Sequence, residues 1–151
     1  MQIGVAELIV GFMQRLGVEA IFGMPGAHIL PVYDALYDTR IRTVLAKHEQ
    51  GAAFMAGGYA RASGRVGACI ATAGPGATNL VTGIANAYAD RLPVLALTGE
   101  TATYIFGRGG LQASSGKSGV NHEPIRRLAR MLIEARQPVI IAGHGCIRAG
   151  A

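Results

Sequence analysis

The chain has 151 residues, of which 50% are hydrophobic, 15% are charged and 22 are glycine. This composition excludes a disordered chain and suits a buried parallel sheet covered by helices of small residues. The net charge of +5 is dispersed apart from Arg126, Arg127 and Arg130, so it indicates a solvated surface rather than nucleic-acid binding.

Short segments of helical and strand character alternate along the first two thirds of the chain. Apolar residues at helical spacing predict a first helix over residues 2–16, which Gly17 ends. The pattern then predicts strand 18–22, helix 29–37, strand 42–47, helix 51–62, strand 67–73, helix 78–89 and strand 93–98. Such alternation favours right-handed crossovers. The predicted fold class is α/β, flavodoxin-like, with a mainly parallel sheet and helices on both faces.

The character of the sequence changes after residue 100. A Gly/Ser-rich stretch is followed by a predicted helix containing Ile125, Leu128 and Leu132, and then by a strand over 138–142. We therefore predict a first domain over 1–112, a linker over 113–120 and the beginning of a second α/β domain over 121–151.

Glu49 is the first candidate for chemistry, because it follows a predicted strand and precedes a helix rich in small residues. A carboxyl group in such a poorly hydrated place suits proton transfer. From its position alone, a carboxylate that only complements the dipole of the helix is the simpler interpretation.

Gly74-Pro75-Gly76 is the second candidate, since its glycines let a ligand approach the backbone before a helix begins. A compact connection between strand and helix would explain the same residues. All the notable turns follow strands, and ligands of parallel sheets gather at the carboxyl ends of strands.

The cysteines and histidines indicate no metal or nucleophile site. Cys69 lies in an apolar strand and is expected in the core, and neither it nor Cys146 has a metal-ligand spacing. The histidines are scattered and are expected to be structural or solvated; they are His28, His48, His122 and His144. No apolar run reaches the ~20 residues of a membrane span, and no signal peptide is evident. A cytoplasmic protein is expected.

Four segments in order resemble one family. They are Phe22-Gly-Met-Pro-Gly26, the run from Lys47 to Arg61, Thr72-Ala-Gly-Pro-Gly-Ala-Thr-Asn79, and Asp90-Arg-Leu-Pro-Val-Leu-Ala-Leu-Thr-Gly99. Together they resemble the pyrimidine-binding domain of acetolactate synthase-like thiamine diphosphate enzymes.

The resemblance implies a role for each matching residue. Glu49 would hydrogen-bond N1' of the cofactor's aminopyrimidine and so activate the cofactor for attack on a 2-oxo acid, with loss of carbon dioxide. Pro25, Gly26 and Ala27 would line the thiazolium and substrate side, and Thr72, Pro75 and Asn79 would shape the pyrimidine pocket. Gln112 matches a family element near the substrate, although here it is flanked by Leu111 and Ala113.

The resemblance also implies missing parts. The diphosphate domain, with the Gly-Asp-Gly and downstream Asn that hold Mg²⁺, does not occur in the sequence. The expected partner is a second copy of the chain in a homodimer, or a subunit that carries the diphosphate-binding domain. FAD, which the central domain helps to hold in acetolactate synthases, is not expected in so short a segment. Two alternatives stay open: an inactive remnant that at most associates with other subunits, and an unrelated flavodoxin-like binding module.

Overall fold

The computed structural model describes residues 4–100 and the backbone of residues 140–142. The strands are β1 (Ala20–Gly23), β2 (Arg42–Leu45), β3 (Gly67–Ala71), β4 (Val94–Thr98) and β5 (Ile140–Ala142). The helices are α1 (Val5–Arg15), α2 (Leu30–Tyr37), α3 (Glu49–Ser63), α4 (Pro75–Asn79) and α5 (Val81–Ala89). All strand pairs are parallel, in the order β2-β1-β3-β4-β5. The predicted α/β class is confirmed.

The sheet separates two hydrophobic cores, one on each face. Side chains of a strand alternate between faces, and in β3 Ile70 joins one core while Cys69 joins the other. The first core contains Met13 of α1 and Leu36 of α2. The second contains the small residues of α3 and α5. Helices therefore cover both faces, as predicted.

Cys69 is a core residue, as the sequence predicts. Its side chain is fully buried, and burial raises the pKa of the thiol to about 12. The thiol therefore stays protonated at neutral pH and acts as a small apolar group.

Two of the differences between the predicted and the observed helix boundaries affect the site. Helix α3 begins at Glu49 rather than near residue 51, because Nδ1 of His48 accepts a hydrogen bond from the backbone N–H of Gln50 at 3.1 Å and caps the helix. The predicted helix 78–89 is two helices, since α4 ends at Asn79 and α5 starts at Val81.

Among the described strands, β2 and β5 lie at the two edges of the sheet. All four residues of β2 are exposed. The strand predicted over 138–142 is present as β5, and it pairs with β4 in the same sheet. Residues 101–139 and 143–151 lie outside the described residues, so the predicted linker and second-domain fragment stay a prediction. No helix in the described part of the chain is long and apolar enough to cross a membrane.

Candidate cofactor site

The connections that follow β1, β2 and β3 meet at one edge of the sheet, because the strands are parallel. The backbone N–H of Ala46, just past β2, donates to the carbonyl of Gly23 at 2.9 Å and extends the pairing toward this edge. The segments around Gly26, Glu49 and Thr72 therefore begin from neighbouring positions. This is the edge at which parallel sheets bind ligands.

A carboxylate held by an amide lies at this edge. Glu49 is the first residue of α3 and is partly buried, and its Oε2 accepts a hydrogen bond from Nδ2 of Asn79 at 3.0 Å. Asn79 reaches it because it is the last residue of the short helix α4. An amide orients the carboxylate without neutralising it. The arrangement suits a carboxylate that shares a proton or a hydrogen bond with a ligand through its other oxygen.

Thr72 lies between two glycines and forms part of the wall beside this carboxylate. A methyl group added at Gly26 would lie 2.6 Å from Cβ of Thr72. A methyl group added at Gly76 would lie 2.9 Å from Cγ2 of Thr72 and 3.2 Å from Oε1 of Glu49. Only glycine fits these close approaches. The glycines therefore let the connections after β1 and β3 pack directly against the side chains of Thr72 and Glu49.

The turn that carries Gly76 also requires glycine for its backbone conformation. Gly74 has a φ of 65°, a value that side chains disfavour, and it precedes Pro75 in the first turn of α4. Helix α4 has only five residues, so it offers less of a helix dipole than the predicted longer helix would. The turn places Gly76 and Asn79 on either side of the Glu49 carboxylate.

Among the described residues, no side-chain hydrogen bond joins Glu49 to the remaining predicted site residues; its partner is Asn79. Pro25 and Ala27 are exposed in the connection between β1 and α2, and Pro75 is exposed at the start of α4. Gln112 lies outside the described residues. Within the described part of the chain, no group of three His, Cys, Asp or Glu side chains could hold a metal ion.

His28 belongs to the site although the sequence interpretation did not include it. Its Nδ1 lies 3.2 Å from Oγ1 of Thr72, and the contact joins residues 44 positions apart. A methyl group added at Gly99, just past β4, would lie 2.6 Å from Cβ of His28. One feature of the sequence could have indicated His28: it lies two residues after Gly26, in the connection between β1 and α2 that carries other predicted site residues.

At the opposite side of the sheet, where the strands begin, lies a surface groove of about 780 Å³. It is lined by residues that precede the strands, among them Arg65, whose guanidinium is paired with Glu19. None of the predicted site residues lines it. We therefore place the candidate site at the carboxyl edge, where the close-packed glycines and the oriented carboxylate occur.

The fold is a parallel α/β domain, a class in which ligands commonly bind at the carboxyl ends of the strands. Residues 3–119 match the family described as thiamine pyrophosphate enzyme, N-terminal TPP binding domain. The chain belongs to this family; thiamine pyrophosphate is the cofactor called thiamine diphosphate above.

Curated relatives point to one branch of the family. The chain is 44% identical to an acetolactate synthase of Mycobacterium avium over 93% of its own length and 22% of the relative's. It is 55% identical to a probable acetolactate synthase large subunit of Methanocaldococcus jannaschii over 71% of its length and 18% of that protein. Acetolactate synthase isozyme 2 large subunit of Escherichia coli is 51% identical over 71% of the chain and 20% of its own length. The chain thus spans about one fifth of these relatives.

Proposed function

We propose that this chain is the pyrimidine half-site of an acetolactate synthase-like enzyme that decarboxylates 2-oxo acids and joins the product to an acceptor. The observation that carries the proposal is the Glu49 carboxylate, oriented by Asn79 at 3.0 Å beside bare glycine backbone. Family membership and the identity to acetolactate synthases support the choice of thiamine diphosphate as the ligand.

The residues at this edge fit the aminopyrimidine ring. Glu49 would share a proton with N1' of the ring through Oε1, while Asn79 keeps hold of Oε2. Gly26 and Gly76 let the backbone pack closely against Thr72 and Glu49, and we propose that Thr72 forms the wall of the ring's pocket. Bound thiamine diphosphate supplies the carbon nucleophile that attacks the carbonyl of the 2-oxo acid.

The substrate side is assigned to other residues of the chain. We propose that Pro25 and Ala27, exposed after β1, border the thiazolium and the 2-oxo acid. Pro75 would border the pyrimidine pocket from the start of α4. Gln112 is proposed near the substrate, on its match to the family element.

The diphosphate and its Mg²⁺ need groups beyond those of the described residues, where no candidate metal cluster occurs. We propose that a diphosphate-binding domain acts in trans, in a cytoplasmic assembly, and that FAD is not held by this segment.

The second candidate is an inactive remnant that serves only for association. Turnover after addition of a diphosphate-domain subunit would favour the first candidate, and its failure with correctly associated subunits would favour the second.

An exposed apolar surface supports the proposal of a partner. Helices α3 and α5 pack side by side, and they expose Phe54, Met55, Val81 and Tyr88 by 42%, 43%, 59% and 76%. Apolar groups gathered on one helical layer commonly mark an interface. We name these four residues the α3/α5 surface.

We expect the α3/α5 surface to mediate self-association of the chain. Met55→Glu should shift the chain toward monomer in sedimentation velocity, because a charge would be buried in the interface. Tyr37→Ser is the matched control, since Tyr37 is 88% exposed on α2, which packs on the other face of the sheet. A monomeric wild-type chain, or an equal response to both variants, would contradict the assignment.

The cofactor assignment predicts binding at one edge of the sheet. Thiamine diphosphate at millimolar concentration should shift the backbone amide resonances of Gly26, Thr72 and Gly76 in the full chain. Gly17 and Gly64, which line the groove at the opposite edge, should not shift. Inorganic diphosphate is the control ligand, because it lacks the pyrimidine. Absent shifts, or the same shifts with diphosphate alone, would reject the assignment.

A further inference from the structure

The two branches of the Thr72 side chain have different neighbours. Its hydroxyl lies 3.2 Å from Nδ1 of His28. Its methyl lies toward Gly76, since a methyl added there would come within 2.9 Å of Cγ2 and 3.2 Å of Oε1 of Glu49. Threonine has three staggered rotamers, and the observed one turns the apolar branch to the side of the Glu49 carboxylate.

We propose that His28 is a positioning residue that acts through Thr72: its hydrogen bond keeps the methyl, and not the hydroxyl, turned toward Gly76 and Glu49. The proposal rests on the proposed function, because its purpose is to shape the pyrimidine site. His28 is itself well placed to hold Thr72. It is partly buried, and its Cβ packs close to the backbone at Gly99.

The orientation of Thr72 has a chemical consequence for Glu49. A hydroxyl in the place of the Thr72 methyl would put a hydrogen-bond donor on the side of Gly76 that Oε1 of Glu49 also faces. We infer that it would compete with N1' of the pyrimidine for that oxygen. A methyl group cannot donate, and it offers the ring an apolar wall. His28 thus directs the donor of Thr72 away from the carboxylate that the cofactor needs.

The first test measures the Thr72 rotamer in the full chain by three-bond couplings from its Cγ2 methyl to the backbone nitrogen and carbonyl carbon. The wild type and His28→Asn should show one rotamer, because asparagine still offers a hydrogen-bonding group. His28→Leu should show averaged couplings. His48→Leu is the matched control, since His48 caps α3 and should leave Thr72 unchanged. Unchanged couplings in His28→Leu, with a folded amide spectrum, would overturn the proposal.

The second test measures thiamine diphosphate affinity in the same variants. His28→Leu should weaken binding about fivefold, the effect of one ordinary hydrogen bond, and His28→Asn should restore most of it. In a Thr72→Val background His28→Leu should have no further effect, because no hydroxyl remains to turn. An equal loss in that background would show a merely structural role and overturn the proposal. A wild-type chain with one Thr72 rotamer but no binding would reject the proposed function and, with it, the positioning role.

Discussion

Glu49→Gln is expected to lower the decarboxylation rate about 10²- to 10⁴-fold in an enzyme assembled from this chain and a diphosphate-domain subunit, the range lost with a general acid–base group. In the wild type, Nδ2 of Asn79 donates a hydrogen bond to Oε2 of Glu49 at 3.0 Å. Glutamine keeps an oxygen that can accept this hydrogen bond, so the local structure should survive. It cannot share a proton with the pyrimidine. The measurement is pyruvate decarboxylation under saturating thiamine diphosphate and Mg²⁺.

His48→Asn is the matched control for this prediction. His48 is the neighbour of Glu49 and is exposed, and its ring caps α3 through the N–H of Gln50. Asparagine is a good N-cap, so this variant should keep both the helix and the rate within a few-fold of the wild type. A Glu49→Gln enzyme as active as His48→Asn would remove Glu49 from the proposed role.

Gly67→Ala is expected to destabilise the fold by about 3 kcal/mol, the upper part of the usual range for overpacking a core. Gly67 begins β3, where the backbone of α3 crosses directly over it. A methyl group there would overlap the carbonyl oxygen of Ala56, and a helix backbone cannot move aside as a flexible side chain can. Since domains are stable by only about 5–15 kcal/mol, the change should be evident in urea denaturation.

Gly11→Ala is the control for the glycine prediction. Gly11 lies inside α1, and nothing lies within 4 Å of a methyl group added there. Alanine in a helix interior should therefore raise the free energy of unfolding by about 0.5–1 kcal/mol. Similar stabilities for the two variants would mean that α3 and β3 can separate at little cost, contrary to the packing described.

The sequence predicts the elements well, because each is marked by a local signal. Short apolar runs between glycines and prolines mark the strands, and Gly17 and Gly64 mark the ends of helices with positive φ values. The break between α4 and α5 has no such signal. Leu80 separates them with helical dihedral angles and a fully buried side chain, so its apolar spacing continues the helical pattern.

Local sequence patterns predict the site less well than the helices and strands, because the contacts of the site join residues that are far apart in the sequence. Glu49 and Asn79 are 30 residues apart, and their meeting depends on the strand order and on where α4 stops. Both residues lie in motifs that resemble the family, although no local sequence pattern indicates that they meet. The resemblance did not select His28, because the bond to Thr72 is a property of the packed fold and not of a motif. The assigned roles of all these residues stay predictions.

The position of β2 has a consequence for the behaviour of the chain at high concentration. One side of this strand pairs with β1, and its other side has no partner strand among the described residues, while Val44 and Leu45 are 36% and 63% exposed. An open, apolar strand edge is a template on which a strand of another molecule can add. Arg42 within the strand and Lys47 just beyond it place positive charge at both ends, and their repulsion toward an identical edge opposes the growth of a continuous intermolecular sheet.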